Sequence, residues 1–180
     1  MPELSIPTVT CVESGVNYSR FLAEPLEPGF GITLGNALRR VLLSSLPGAA
    51  VTWVKIEGIQ HEFSPIPHVK EDAMEFLLNV RQLRLCPLSR QPGQLLLEVK
   101  GEGKVSAADI KPSADFRIAN PELYLVSLDS SKARLCVELN VELGRGYMPA
   151  KSGDGLPVGA LPVDAIFTPV RKVNFSVESI

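Results

Sequence analysis

The sequence predicts an α+β fold in which a small sheet-plus-helix layer is interrupted by a mostly antiparallel, β-rich insertion. One amphipathic helix, bounded by turn residues, lies between Gly29 and Gly48, and strict apolar/polar alternation runs from Ala133 to Leu143. The 15 prolines and 14 glycines among 180 residues favour short elements joined by turns over long helices. We expect the insertion between about Thr52 and Pro169.

The chain opens with two strand-like runs, Thr8 to Glu13 and Tyr18 to Ala23. The four residues between them, Ser14-Gly15-Val16-Asn17, have the composition of a hairpin turn. The prolines of the following stretch, 24–28, predict a rigid connector. This hairpin would offer a small sheet on which the next helix can lie.

The stretch GFGITLGNALRRVLLSSLPG, residues 29–48, predicts a helix with Thr33 as its N-cap and Pro47-Gly48 as its stop. Its apolar stripe follows helical spacing and comprises Leu34, Ala37, Leu38, Val41, Leu42 and Ser45. Arg39 and Arg40 lie ~100° apart around the axis, and Leu43 shares the side of Arg40. Two interpretations stay open. The helix is either a core helix whose arginines reach water, or a helix that packs on its own sheet with one face and on other chains with the rest.

A strand over Ala49 to Gly58 follows, and then a loop over Ile59 to Asp72 that Pro65 and Pro67 keep out of a regular ladder. The loop leads into a second helix, predicted over roughly Lys70 to Arg84. Acidic residues in its first turns and basic residues at its end suit the helix dipole, namely Glu71, Asp72 and Glu75, then Arg81 and Arg84.

From Cys86 onward the pattern predicts strands, over Gln94 to Lys100, Phe116 to Ala119, Leu123 to Leu128 and Ala133 to Leu143. The segment from Gly144 to Pro162 has no periodicity and is expected to be an irregular, exposed loop. A last strand is expected over Val173 to Glu178, where Val173, Phe175 and Val177 alternate with polar residues. Its abrupt end suggests a longer natural chain.

Composition narrows the function classes. Eighteen basic and 20 acidic residues give a net charge of -2, which argues against non-specific binding to nucleic acid or to an anionic membrane. No signal peptide or run of ~20 apolar residues is visible, so we expect a cytoplasmic protein with no membrane partner. Three widely spaced cysteines, Cys11, Cys86 and Cys136, are expected to be free thiols.

The residue patterns offer no catalytic set. Gly29, Gly31 and Gly35 lack the spacing of a dinucleotide fingerprint, and no lysine-serine pair follows them as in a P-loop. His61 and His68 are seven residues apart across two prolines, which is not the spacing of a zinc-binding helix. Ser44 and Ser45 have no histidine near them in sequence. We therefore expect no catalytic residues, no metal and no cofactor, and a surface built for contact.

Four blocks in order closely resemble the amino-terminal region of the bacterial RNA polymerase alpha subunit family. They are GFGITLGNALRRVLLSSLPG at 29–48, HEFSPIPHVKED at 61–72, GRGYMPA at 144–150 and PVDAIFTPVRKVNFSVE at 162–178. The resemblance implies a dimerisation domain, 1–51 with 170–180, interrupted by an insert domain, 52–169. It also implies a non-catalytic scaffold subunit of a nucleotidyltransferase that acts in transcription.

The resemblance implies two kinds of contact. The dimer interface with a second alpha subunit would comprise Leu34, Leu38, Val41 and Leu42. Contacts with the beta and beta-prime subunits would comprise Arg40, Leu43, His61, Glu62, Phe63, Lys70, Glu71, Asp72, Glu75, Arg81, Arg145, Tyr147 and Arg171.

The sequence departs from the family pattern at Pro65, where threonine is usual, and at His68, where glycine is usual, which predicts a stiffer and differently turned loop. The family continues beyond this end with the rest of the dimerisation domain and a DNA-binding domain, so we expect poor dimerisation and no direct DNA binding. Two alternatives stay open: a small metal- or phosphate-dependent enzyme using His61, His68 and the early glycines, and a generic protein-binding module.

Overall fold

A computed structural model describes residues 6–150 and 155–178. Within them the chain forms two α-helices, twelve strands and one 3₁₀ turn at Ala107–Asp109. The helices are α1, Phe30–Ser44, and α2, Ala73–Val80. The strands are β1 Thr8–Ser14, β2 Ser19–Glu24, β3 Pro47–Ile56, β4 Leu85–Pro87, β5 Gly93–Lys100, β6 Gly103–Ser106, β7 Phe116–Ile118, β8 Tyr124–Leu128, β9 Arg134–Arg145, β10 Tyr147–Met148, β11 Ala160–Pro162 and β12 Ala165–Ile166. The expected α+β, mostly antiparallel fold is confirmed.

The chain divides into two compact units. One unit comprises Met1–Leu42 with Lys172–Ile180, and the other comprises Leu43–Arg171. We call the first the helix unit and the second the sheet unit.

The helix unit holds the hairpin of β1 and β2, which pair antiparallel with a register shift between Cys11 and Glu13. The predicted hairpin is thus confirmed. Helix α1 begins at Phe30, so Thr33 lies inside the helix and the predicted N-cap is wrong. Gly29 adopts a φ of 80°, and the Phe30 N–H donates to the Glu27 carbonyl at 2.9 Å, so the turn before the helix makes the start.

The predicted last strand is also wrong, because residues 168–178 form no strand. Phe175 and Val177 instead lie against the two glycines on the inner side of α1. A Cβ added to Gly31 would stand 3.0 Å from Val177 Cγ1, and one added to Gly35 would overlap the ring of Phe175. The alternation in this segment therefore reflects packing on a helix rather than a ladder.

The sheet unit is built on a six-stranded antiparallel sheet. Five of its strands follow the order β5-β9-β3-β4-β7, and the sixth, β11, pairs with β3. Alternate residues of β9 fill the core, as the sequence predicted: Leu135, Val137, Leu139 and Val141 are buried. The two-stranded sheet of β6 and β8 and the helix α2 contribute to the same apolar cluster. Phe76 of α2 is completely buried in this core.

The outer edge of β5 is covered by the chain that follows the 3₁₀ turn. Ile110 forms an isolated bridge with Leu97, and the Lys111 N–H donates to the Leu96 carbonyl at 2.8 Å. Lys111 also reaches across to Glu98, with its ammonium 2.8 Å from the Glu98 carboxylate.

The segment predicted as irregular, Gly144 to Pro162, is partly wrong. Strand β9 continues through Arg145, and β10 and β11 both fall within the segment. Strand β10 pairs with β12, which brings Tyr147 opposite Ile166 and Met148 opposite Ala165. Residues 151–154 of the predicted loop lie outside the described residues.

Two glycines seat the β10/β12 ribbon on the main sheet. Gly48 and Gly144 are paired across β3 and β9, and Phe167 lies over them. A Cβ on Gly144 would stand 2.7 Å from the Phe167 ring, and a Cβ on Gly48 would collide with the Phe167 carbonyl. The absence of side chains at these two positions makes the space for Phe167.

Candidate functional site

The exposed stripe of α1 is the first candidate surface. Leu38 is 49% exposed, Val41 52% and Leu42 36%, while Leu34 is half-buried. Among the described residues of the helix unit, only Gly31 is buried. The four stripe positions that the family resemblance assigned to a dimer interface thus lie on an apolar face that this chain leaves largely open to water.

Arg40 is exposed on the same helix, and Leu43 is half-buried at its end. With the stripe centred near Leu38, Arg40 projects well away from it, because successive residues turn by ~100°. Helix α1 therefore presents two different faces, one apolar and one with a cation.

The loop from His61 to Asp72 is the second candidate surface. Its first turn places His61 and Phe63 in solvent, and Phe63 is 78% exposed. The turn is closed by the Ser64 N–H, which donates to the His61 carbonyl at 3.1 Å. Ile66, in contrast, is buried in the core and anchors the middle of the loop. The predicted loop without regular pairing is confirmed, although Pro65 and Asp72 form one isolated bridge.

The second half of this loop is bonded to β8. The Lys70 N–H donates to the Ser127 carbonyl at 3.0 Å, and the Asp129 N–H donates to the His68 carbonyl at 3.0 Å. His68 adopts a φ of 60°, in the left-handed region that favours glycine, and its ring lies 3.8 Å from the Asp129 carboxylate. The backbone of the loop is therefore held in place from His68 onward.

Glu71 completes this attachment. One of its carboxylate oxygens accepts a hydrogen bond from the Ser127 N–H at 2.8 Å, and the other accepts the Tyr124 hydroxyl. Partial burial opposes ionisation of Glu71, but these two hydrogen bonds outweigh it and the pKa of the carboxyl is lowered. Burial and the neighbouring Glu71 carboxylate raise the pKa of Tyr124.

Helix α2 begins later than predicted. Asp72 is its N-cap and accepts a hydrogen bond from the Glu75 N–H at 2.8 Å, so the helix starts at Ala73 instead of Lys70. Glu71 thus lies outside the helix, and its predicted place in the first turn is wrong. Lys70 and Glu75 are exposed, whereas the carboxylates of Glu71 and Asp72 are engaged within the chain and Glu62 is half-buried.

The third candidate surface surrounds Asp164, which the sequence reading missed. The Arg81 guanidinium lies 3.2 Å from one Asp164 oxygen, and the Ala150 N–H donates to the other at 2.8 Å. The Tyr147 hydroxyl lies near this carboxylate and favours its charged form. The structure therefore joins Arg81 and Tyr147, two predicted contact residues, whereas the exposed Arg145 and Arg171 take no part in these bonds.

The charges around Asp164 explain its titration. The hydrogen bond from Ala150 lowers the pKa of the carboxyl, partial burial opposes it, and Tyr147 and Arg81 add to the lowering. Burial and the neighbouring Asp164 carboxylate raise the pKa of Tyr147. The only sequence signal for Asp164 is an acidic residue placed between Val163 and Ala165, two apolar residues that are both buried.

The histidines considered for a metal site, His61 and His68, are both exposed. In the described part of the chain, no group of three histidine, cysteine, aspartate or glutamate residues could hold a metal ion. Cys86 and Cys136 are half-buried free thiols, and Cys11 is an exposed one. No helix within the described ranges is long and apolar enough to cross a membrane.

Comparison with known proteins gives a consistent family. The family model described as "RNA polymerase Rpb3/RpoA insert domain" matches residues 54–168. A protein from Dehalococcoides mccartyi (strain CBDB1), named DNA-directed RNA polymerase subunit alpha, is 57% identical over 178 residues, covering 99% of this chain and 54% of the relative. Proteins of the same name from Herpetosiphon aurantiacus and Roseiflexus sp. (strain RS-1) are 54% and 51% identical. The chain spans about half the length of the curated relatives it matches.

Proposed function

Because the chain belongs to the RNA polymerase Rpb3/RpoA insert domain family, we propose that it is a non-catalytic assembly subunit of a DNA-directed RNA polymerase. A second copy of the chain covers the α1 stripe, and the beta and beta-prime subunits dock on the remaining surfaces. The names of the relatives support the enzyme, and the open faces of the chain support the scaffold role.

The observation that carries the dimer is the composition of the helix unit. Its α1 stripe is apolar and one third to one half exposed at Leu38, Val41 and Leu42. A large apolar patch in water is costly unless another surface covers it. A second copy is a suitable cover, because two identical apolar stripes complement each other across a two-fold axis.

The dimer is tested by placing a charge in the stripe. Leu38→Glu should weaken self-association about 100-fold, the range of a central interface residue, because it would bury a carboxylate between two apolar faces. Sedimentation velocity from low to high micromolar concentration measures the change.

Ile32→Glu is the matched control. Ile32 lies on the same helix and is 59% exposed, but it points about 140° away from the stripe. It should leave self-association unchanged. A wild-type chain that stays monomeric throughout the concentration range, or equal losses in both variants, would contradict the dimer.

Docking of the large subunits is proposed for Arg40, Leu43 and the loop 61–75. His61, Phe63, Lys70 and Glu75 are exposed there, and the hydrogen bonds of Glu71 and Asp72 hold the loop in shape for them. A well-fixed loop loses little conformational entropy on binding, which favours affinity.

Co-purification with the beta and beta-prime subunits tests this docking. The double variant Arg40→Ala, Leu43→Ala should lose most of the co-purified large subunits, whereas Arg39→Ala should retain them because Arg39 projects ~100° away from Arg40. Wild-type recovery with the double variant would remove the interface assignment. A chain that never co-purifies with the large subunits would instead be a general binding module.

A further inference from the structure

We infer that Asp164 is a positioning residue, which aligns Arg81 with the segment 147–150 so that they form one docking surface for an acidic, partly apolar segment of a large polymerase subunit. This inference rests on the proposed function. Arg81 and Asp164 are 83 positions apart in sequence, so neither local sequence nor a shared element brings them together.

The position of Asp164 is fixed from both sides. Val163 and Ala165 are 3% and 0% exposed, and they belong to the two separate apolar clusters of the sheet unit. Since side chains alternate along an extended chain, Asp164 has to point away from both clusters, toward the surface.

A bulge in β3 also helps to fix the position of Asp164. The β3–β9 register shifts between Val51 and Trp53, which leaves Thr52 as the extra residue. The Thr52 carbonyl then accepts the Val163 N–H at 2.9 Å, and the Thr52 hydroxyl bonds to the Glu142 carboxylate at 3.1 Å. The backbone before Asp164 is therefore fastened to the central sheet.

The carboxylate accepts hydrogen bonds from Arg81 and from the Ala150 N–H, and the Tyr147 hydroxyl lies near it. Arg81 is the C-cap residue at the end of α2, Tyr147 lies in β10, and Ala150 follows that strand. Tyr147 is paired with Ile166, which shares its face of the ribbon with Asp164. Removing the whole carboxylate at 164 thus frees the guanidinium and also releases the Ala150 N–H that holds the end of the ribbon.

The surface that results has the composition of an interface. Tyr147 is 57% exposed and Ile166 42%, and the Arg81 side chain is 38% exposed beside them. Tyrosine and arginine are enriched at the centres of protein interfaces. Because Asp164 directs only one N–H of the guanidinium inward, the others remain to receive a carboxylate of the partner. Apolar side chains of that partner would pack on Tyr147 and Ile166.

The ion pair itself contributes little to folding. Both of its side chains are about one third exposed, at 38% and 31%, so solvent screens their attraction. Substitutions at Asp164 should accordingly leave the chain folded, and a loss of docking can be separated from a loss of structure.

Two substitutions separate the two roles of the carboxylate. In Asp164→Asn one oxygen can still accept the Ala150 N–H, while the amide group repels the Arg81 guanidinium. Asp164→Ala removes both bonds. Glu98→Gln is the control, because Glu98, on β5, is a carboxylate of similar exposure, 30%, that forms its own ion pair with Lys111.

Binding to purified beta-prime subunit is measured with the full chain. Asp164→Asn should weaken binding about tenfold and Asp164→Ala more, whereas Glu98→Gln should not change it. Adding Asp164→Asn to Arg81→Ala should cause no further loss, because Asp164→Asn acts only through the position of Arg81.

Two further measurements report on positioning without the partner. Amide hydrogen exchange at Ala150 should accelerate in Asp164→Ala and stay slow in Asp164→Asn. NMR titration of the Tyr147 ring should show a lower hydroxyl pKa in both variants. Unchanged exchange at Ala150 in Asp164→Ala, or an unchanged Tyr147 pKa in both variants, would overturn the positioning role even where binding changes.

Unchanged binding in Asp164→Ala, or additive losses from Arg81 and Asp164, would also overturn the inference. A wild-type chain that binds no large subunit would refute the docking surface and the proposed function together. In that case exchange at Ala150 still shows whether Asp164 organises the ribbon.

Discussion

The two units of the chain obtain stability in different ways. The sheet unit contains all of the buried apolar residues that form the described core, from Ala49 in β3 to Phe167 after β12. The helix unit has an amphipathic helix and a well-formed hairpin, yet among its described residues only Gly31 is buried. Secondary structure alone therefore does not make a core, and the stability of the helix unit has to come from association.

The two units should differ most in how much stability the sheet unit loses when one apolar side chain is truncated in each of them. Phe76→Ala should cost about 3–5 kcal/mol, because it leaves a cavity in the sheet unit's core. Leu38→Ala should leave the sheet unit unchanged. Urea unfolding followed by fluorescence of Trp53, the single tryptophan, reads the sheet unit alone because Trp53 is buried in β3. An equal shift of the midpoint in both variants would break the comparison.

Protein concentration should stabilise one unit and not the other. At a protein concentration a hundredfold above the dimer dissociation constant, association raises the free energy of opening the associated unit by about 2.7 kcal/mol. Amides of α1 should therefore exchange more slowly as concentration rises, while amides of β9 should exchange at a constant rate. Hydrogen exchange read by mass spectrometry checks this, and a constant rate in α1 would count against association.

Glycine to alanine substitutions should change the free energy of unfolding differently in the two units. Gly144→Ala would press its Cβ to 2.7 Å from the ring of the buried Phe167 and should cost about 1–3 kcal/mol. Gly35→Ala meets Phe175, which is 41% exposed and free to swing aside. Since alanine favours helix by up to ~1 kcal/mol over glycine, Gly35→Ala should be neutral or stabilising. Thermal unfolding of both variants measures the signs.

The smallest expected effect is a pH dependence confined to the sheet unit. The pKa of Glu71 is lowered from its ordinary 4.5. Its hydrogen bonds therefore contribute stability above pH 4.5, and the contribution is lost as pH falls through the lower folded pKa. In Glu71→Gln the melting temperature should fall less steeply between pH 5 and pH 3. The exposed Glu102→Gln should behave as the wild type, and identical slopes in all three would refute the role of Glu71.

Local patterns predicted the elements that depend on their own residues. The stripe of α1 and the alternation of β9 follow from residue spacing, and both were correct. The Thr33 cap and the last strand were wrong because Gly29 makes an earlier turn and Phe175 packs on a helical glycine. Both outcomes depend on neighbours that periodicity does not contain.

The candidate sites also divide into features that local residues determine and features that distant residues determine. The family resemblance placed Arg81 and Tyr147 among the contact residues, but residue spacing could not find Asp164, because the bond between Arg81 and Asp164 spans 83 positions. The sequence pattern also predicted Glu71 as a helix-start residue, whereas Ser127 and Tyr124, more than 50 positions away, decide its environment. Bonds between distant segments are fixed by the fold rather than by spacing.

The strip of chain over the outer edge of β5 has a consequence for the behaviour of the chain before it meets any partner. An open strand edge invites pairing with any other extended chain, which is a route to aggregates. Ile110 and Lys111 occupy the hydrogen-bonding positions along Leu96 and Leu97, and the Lys111 charge lies across the strand. A newly made chain can therefore have its helix face uncovered while this edge of its largest sheet is closed to pairing with strands of other proteins.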